Sequence, residues 1–318
     1  MSGAASTDTI ASACATASGS RVRRCVRICS AAGQPGVVTP AILAPLAQGA
    51  GSCRRRRSLV GERRVALVTG ASRRRGIAAA VAERLARDGF DLALHSWAPF
   101  DDEMPWGAEP EGPGAVAAAC REAGADVTVR QGDLADPEEP RRAVDATYEA
   151  YGRLDALCAV HARSSTYALA DTTAAELDLC FAVNARSIVL LAQAYAARHD
   201  ASRRGRLVTF TSGQYHGAMP DEIPYAVTKG TVHQMTATLA GALGSKGITV
   251  NCVDPGPCDT GWADAETRAW VAARMPGGRW TEPTDAAALV AWLAGPDADR
   301  VTGQVMAADG GWSTCRSG

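Results

Sequence analysis

The chain has 318 residues, 33 basic against 34 acidic side chains for a formal charge of −1, and 47% hydrophobic residues. A balanced charge creates no field that favours a nucleic-acid partner, and there is no run of 18 or more apolar residues to suggest membrane insertion. The ten cysteines form no Cys-x-x-Cys pair and no zinc-ligand spacing, so they read as reduced thiols of a cytoplasmic protein without a metal site.

Residues 1 to 62 stand apart from the rest. Up to Val60 the only acid is Asp8, arginines cluster at Arg21 to Arg27 and Arg54 to Arg57, and Cys14, Cys25, Cys29 and Cys53 fall here. Such composition suits an organellar transit peptide or an extension translated from an upstream start, and neither belongs to a fold. From Arg64 the pattern alternates. Strands are expected at 64–69, 91–95, 126–130, 155–160, 206–211, 248–253 and 303–307. Helices are expected at 76–88, 114–123, 137–151, 173–198, 224–243 and 285–293. Short β-branched runs between stretches of helical periodicity predict one doubly wound parallel α/β sheet of the Rossmann type, a single domain over residues 63–318.

The first strand runs into Thr69-Gly-Ala-Ser-Arg-Arg-Arg-Gly-Ile-Ala78. A glycine-rich turn between strand and helix lets backbone N–H groups approach a pyrophosphate, which marks Gly70, Ser72, Gly76 and Ile77 as cofactor contacts. The second strand ends His95-Ser96-Trp97, with no carboxylate to take a free ribose hydroxyl. With Arg73, Arg74 and Arg75 in the adjoining loop, Ser96 points to the 2′-phosphate of NADP(H). The other reading of these arginines is a solvated surface in an arginine-rich chain.

The basic residues include only two lysines, Lys229 and Lys246. Lys229 sits in Tyr225-Ala-Val-Thr-Lys229, one helical turn from a phenol whose pKa its charge should lower. That makes Tyr225 a usable proton donor or acceptor near neutral pH. Ser212 lies thirteen residues before Tyr225, just past the fifth strand.

Taken in order, Thr69-Gly70 with Gly76, Asp133-Leu134, Asn184, Ser212, Tyr225, Lys229 and Pro255-Gly256 resemble the short-chain dehydrogenase/reductase family, over Arg64 to about Trp312. Met104-Pro-Trp-Gly107, Thr211-Ser-Gly-Gln214 and Pro255 to Trp262 resemble its 3-oxoacyl-(acyl-carrier-protein) reductases. The resemblance implies that Tyr225 is the general acid, that Lys229 lowers its pKa and holds the nicotinamide ribose, and that Ser212 holds the carbonyl oxygen. It implies a water-holding role for Asn184, adenine contact for Asp133 beside Leu134, and carboxamide contact for Thr260 beside Pro255 and Gly256. It further implies a small-molecule or carrier-bound carbonyl substrate and a homo-oligomer, tetramer or dimer. The family's Asn-Asn-Ala-Gly is replaced here by Ala159-Val160-His161-Ala162, and the glycine loop is two residues longer. Alternatives are an alcohol or sugar dehydrogenase of specialised metabolism, or a catalytically decayed nucleotide-binding scaffold. Cys258 reads as a packing residue, and Trp262 to Trp280 as a substrate lid.

Overall fold

The computed structural model describes residues 63–315, so residues 1–62, with their four cysteines and the expected extension, lie outside the described residues. Seven strands form the sheet: β1 (Arg64–Thr69), β2 (Phe90–Ser96), β3 (Val127–Gln131), β4 (Ala156–Ala159), β5 (Gly205–Phe210), β6 (Ile248–Asp254) and β7 (Val305–Ala307). All pair in parallel, in the order β3-β2-β1-β4-β5-β6-β7. Between them run α1 (Ile77–Arg87), α2 (Ala98–Asp102), α3 (Gly112–Glu122), α4 (Glu139–Tyr151), α5 (Ala174–Phe181), α6 (Ser187–Arg198), α7 (Ile223–Leu243), α8 (Ala265–Ala272) and α9 (Pro283–Ala294).

Parallel strands need long crossovers, and the helices that make them cover both faces. On one face α1, α3 and α9 pack Val81, Leu85, Val116, Val290 and Leu293 against the sheet. On the other, α4, α6 and α7 bring Val144, Ile188, Leu191, Tyr195 and Val232. The central strands are therefore buried on both sides, and β2 has no exposed residue at all. The chain reverses its strand order between β1 and β4, so a crevice opens at their carboxyl ends.

The single helix expected over 173–198 is interrupted. A π turn at Ala182–Arg186 separates α5 from α6. There the Ser187 hydroxyl and the His161 ring both take the Val183 carbonyl. The stretch Ala174–Arg198 is also the one helical segment among the described residues long and apolar enough to cross a membrane. Its α6 part instead buries Ile188, Leu191 and Tyr195 against the sheet. Two further helices, α2 and α8, were not expected from sequence, and both border the crevice.

Candidate active site

The carboxyl ends of the strands border a cleft of about 870 Å³. Of the residues singled out in the sequence, Gly70, Ser72, Arg73, Gly76, Ile77, Asp133, Leu134, Ser212, Tyr225, Pro255, Gly256 and Thr260 line it. Arg74, Arg75, Ser96, Asn184 and Lys229 are not on its wall. At the β1 end the first turn of α1 faces the cleft with no acidic residue and no side-chain cap. Uncapped N–H groups and the helix dipole fit the phosphates of a dinucleotide. Gly70 has φ +81°, and a Cβ there would stand 2.8 Å from the His161 Cα. Only glycine allows that approach.

His161 is buried and structural. Its Nδ1 is 2.6 Å from the Thr69 hydroxyl, and its Nε2 is 2.8 Å from Ser187 Oγ and 3.1 Å from the Val183 carbonyl. A carbonyl can only accept, so Nε2 carries the proton and Thr69 donates to Nδ1. Burial, then the nearby His95 and Lys229, depress its pKa to about 3. The neutral ring thus ties β1 to the π turn beside the replaced Asn-Asn-Ala-Gly segment.

At the β5 end Tyr225 and Ser212 meet. Burial pushes the Tyr225 phenol up to about 12, and the hydrogen bond from Ser212 only partly offsets it; Glu222 and Asp254 push the same way. Contrary to the expectation of a lowered value, the phenol thus stands above its usual 10 in this structure. The Lys229 ammonium donates to the Phe210 carbonyl at 2.9 Å and lies 5.6 Å from the centre of the phenol ring. Burial lowers its own pKa to about 8, against Cys252 and Asp254. Asp254 is 1% exposed, pairs with His216 at 3.3 Å and accepts the Gly256 N–H. It is a buried acid on the cleft wall near the Tyr225 phenol that the sequence reading missed.

Asn184 lies in the π turn and its amide is hydrogen-bonded through both its oxygen and its nitrogen. Oδ1 accepts the Arg163 N–H, and Nδ2 donates to the Arg163 carbonyl and to Thr228 Oγ1. Ser96 is also corrected. It is fully buried with an unpartnered hydroxyl, and its neighbours His95 and Trp97 face the cleft instead.

The three loop arginines separate, which corrects their reading as one cluster. Arg73 crosses the cleft to the Thr260 carbonyl at 3.2 Å and pairs with Asp101 at 3.0 Å. Arg75 pairs with Asp259 at 3.5 Å, also on the β6 side. Arg74 keeps to the β2 side, where it donates to the Ala115 carbonyl and stands 3.6 Å from Glu83, while Arg73 bridges both sides. Beyond Tyr225 the wall carries Leu179, Val183, Met219, Trp262, Trp270 and Trp312. The expected lid contains α8, and Trp262 packs 5.7 Å from Trp280. Cys258 is buried and its thiol is pushed up to about 12 by burial, as suits a packing residue. Among the described residues no group of three His, Cys, Asp or Glu could hold a metal.

Comparison with known proteins follows the same outline. A family model described as enoyl-(acyl carrier protein) reductase matches residues 70–313. The oxidoreductase YjdA of Bacillus subtilis is 33% identical over 255 residues, 79% of this chain and 97% of its own. The 3-oxoacyl-[acyl-carrier-protein] reductase FabG of Staphylococcus aureus is 28% identical over 77% of this chain and 96% of its own. A solved short-chain dehydrogenase from Burkholderia cenocepacia, in complex with NADP, is 34% identical with a TM-score of 0.69, over 80% of this chain and 98% of that one.

Proposed function

The chain belongs to the short-chain dehydrogenase/reductase family of oxidoreductases, and from that premise we propose that it reduces a carbonyl to an alcohol with NADP(H). The observation that carries this reading is the meeting of Ser212 and Tyr225 over a buried Lys229, at one end of a cleft whose other end offers the bare N-terminus of α1. When bound, the nicotinamide supplies the hydride. The chain supplies the proton and the positions. Ser212 holds the carbonyl oxygen beside the phenol. Tyr225, kept protonated by burial, donates to that oxygen as it gains charge. The Lys229 ammonium, beside the ring, stabilises the phenolate left behind.

Preference for NADP(H) over NAD(H) is supported by Arg74 on the β2 side and by the lack of a carboxylate at the end of β2. The Burkholderia neighbour carries NADP. A 3-oxoacyl thioester is the leading substrate, supported by the Staphylococcus relative. The aromatic wall of Trp262, Trp270 and Trp312 favours a second reading, an alcohol dehydrogenase acting on a free ring ketone. We place the enzyme in the cytoplasm as a homo-oligomer paired through the α5–α6 side, where Phe181 and Val189 are exposed. The test is a panel of 3-oxoacyl thioesters, ring ketones and keto sugars with purified protein and NADPH, followed by NADPH absorbance. Oxidation of NADPH by at least one class is expected. No oxidation with any of them, and no NADPH binding, would overturn the reading.

A further inference from the structure

The segment Trp97–Glu111, between β2 and α3, contains five acids and no basic residue. It lies along the nucleotide end of the cleft, with Phe100, Met104, Pro105 and Trp106 in the wall. Three of its carboxylates meet donors on the elements around the cleft. Glu109 Oε2 accepts the backbone N–H of Arg74 at 2.8 Å. Asp101 pairs with Arg73, whose guanidinium also lies 4.8 Å from the Trp106 ring. Glu103 accepts from Arg163 at 3.0 Å.

A backbone N–H in a strand-to-helix glycine loop is what a phosphate oxygen takes, and a carboxylate oxygen satisfies the same donor. The Arg74 guanidinium is about half exposed, and its partners are a backbone carbonyl and Glu83 at 3.6 Å. The uncapped first turn of α1, facing the cleft with no acid of its own, is an independent pointer to an anionic ligand here.

We propose that Glu109 is an internal stand-in for a phosphate of the dinucleotide. In the free protein its carboxylate holds the Arg74 N–H and keeps the β1–α1 loop in its binding shape. A cofactor phosphate displaces it and takes the N–H together with the Arg74 guanidinium. Glu109 is therefore a specificity-determining residue, because it competes only with ligands that bring a phosphate to this point. The inference rests on the dinucleotide reading above. The phosphate is either the 2′-phosphate or the pyrophosphate, and the ligands of the test separate the two.

Glu109→Gln removes the charge and keeps the size. Dissociation constants of NADPH, NADH, 2′,5′-ADP and 5′-ADP are measured by calorimetry on the full-length wild type and the variant. Loss of a competing charge-assisted contact should tighten NADPH, which brings both kinds of phosphate, about tenfold. 2′,5′-ADP tightened with NADH and 5′-ADP unchanged within twofold identifies the 2′-phosphate; NADH and 5′-ADP tightened with 2′,5′-ADP, which has no pyrophosphate, unchanged identifies the pyrophosphate. If the glutamine variant melts lower than wild type, Glu109→Ala repeats the comparison. NADPH bound by wild type and bound no more tightly by a folded variant overturns the proposal while leaving the dinucleotide reading intact. Wild type and variant that bind none of the four ligands overturn both.

Discussion

Lys229 was legible because one of only two lysines survives in a chain that otherwise uses arginine, and it falls four residues after a tyrosine. Its environment was not legible. Spacing places two residues on one helical face, but it does not say that the ammonium turns to the Phe210 carbonyl or that burial outweighs its charge at the phenol. The arginines show the same limit. Three adjacent residues look like one patch, yet the turn sends Arg73 and Arg75 toward β6 and leaves Arg74 by α3. Arg74→Ala is accordingly expected to weaken NADPH about tenfold or more and NADH little, whereas Arg75→Ala weakens neither selectively. Equal losses of both cofactors on Arg74→Ala, measured as dissociation constants, would count against this. His161 gives a pH dependence. Its folded pKa of about 3 lies below the usual 6.5, so between these values the unfolded chain binds the extra proton. Its contribution is complete above pH 6.5 and is lost as pH falls toward 3, with a slope of at most about 1.4 kcal/mol per pH unit. Urea unfolding at pH 7 and pH 4 should show a smaller acid loss in His161→Gln than in wild type, and identical losses would contradict the assignment.

The strands and the long helices could be read because burial on two faces leaves continuous apolar runs and burial on one face leaves a 3.6-residue period. The π turn at Ala182–Arg186 leaves no such trace, since a single wider turn inside a helix is too short to show a period of its own. Nor does α2, five residues long with Pro99 in its first turn, which is too short to show a period. The run of acids around it, with no base, was the available signal that this connection meets the cleft. The glycine loop was legible as a turn, while the reason for Gly70 came only with the fold. Gly70→Ala places a side chain at φ +81° and 2.8 Å from the His161 backbone. Left-handed strain alone costs about 1–2 kcal/mol, and the close contact adds to it. A fall in melting temperature of several degrees is expected, together with weaker dinucleotide binding. An unchanged melting curve would show that the loop relaxes freely and that the close approach is not needed.

At the scale of the molecule, both faces of the sheet are covered by helices from residues 77–294. A chain starting near Gly61 should keep the melting temperature and the activity of the full-length protein, and a large drop in either would assign the extension a role in the fold. The central claim concerns the use of this core: a carbonyl is held at Ser212 and protonated by Tyr225. The most direct measurement is turnover of Tyr225→Phe on a substrate that the wild type reduces with NADPH, with the NADPH dissociation constant determined alongside. Removing the proton donor and keeping the ring should lower kcat about 10²- to 10⁴-fold with cofactor affinity unchanged. A kcat within tenfold of wild type would contradict the account.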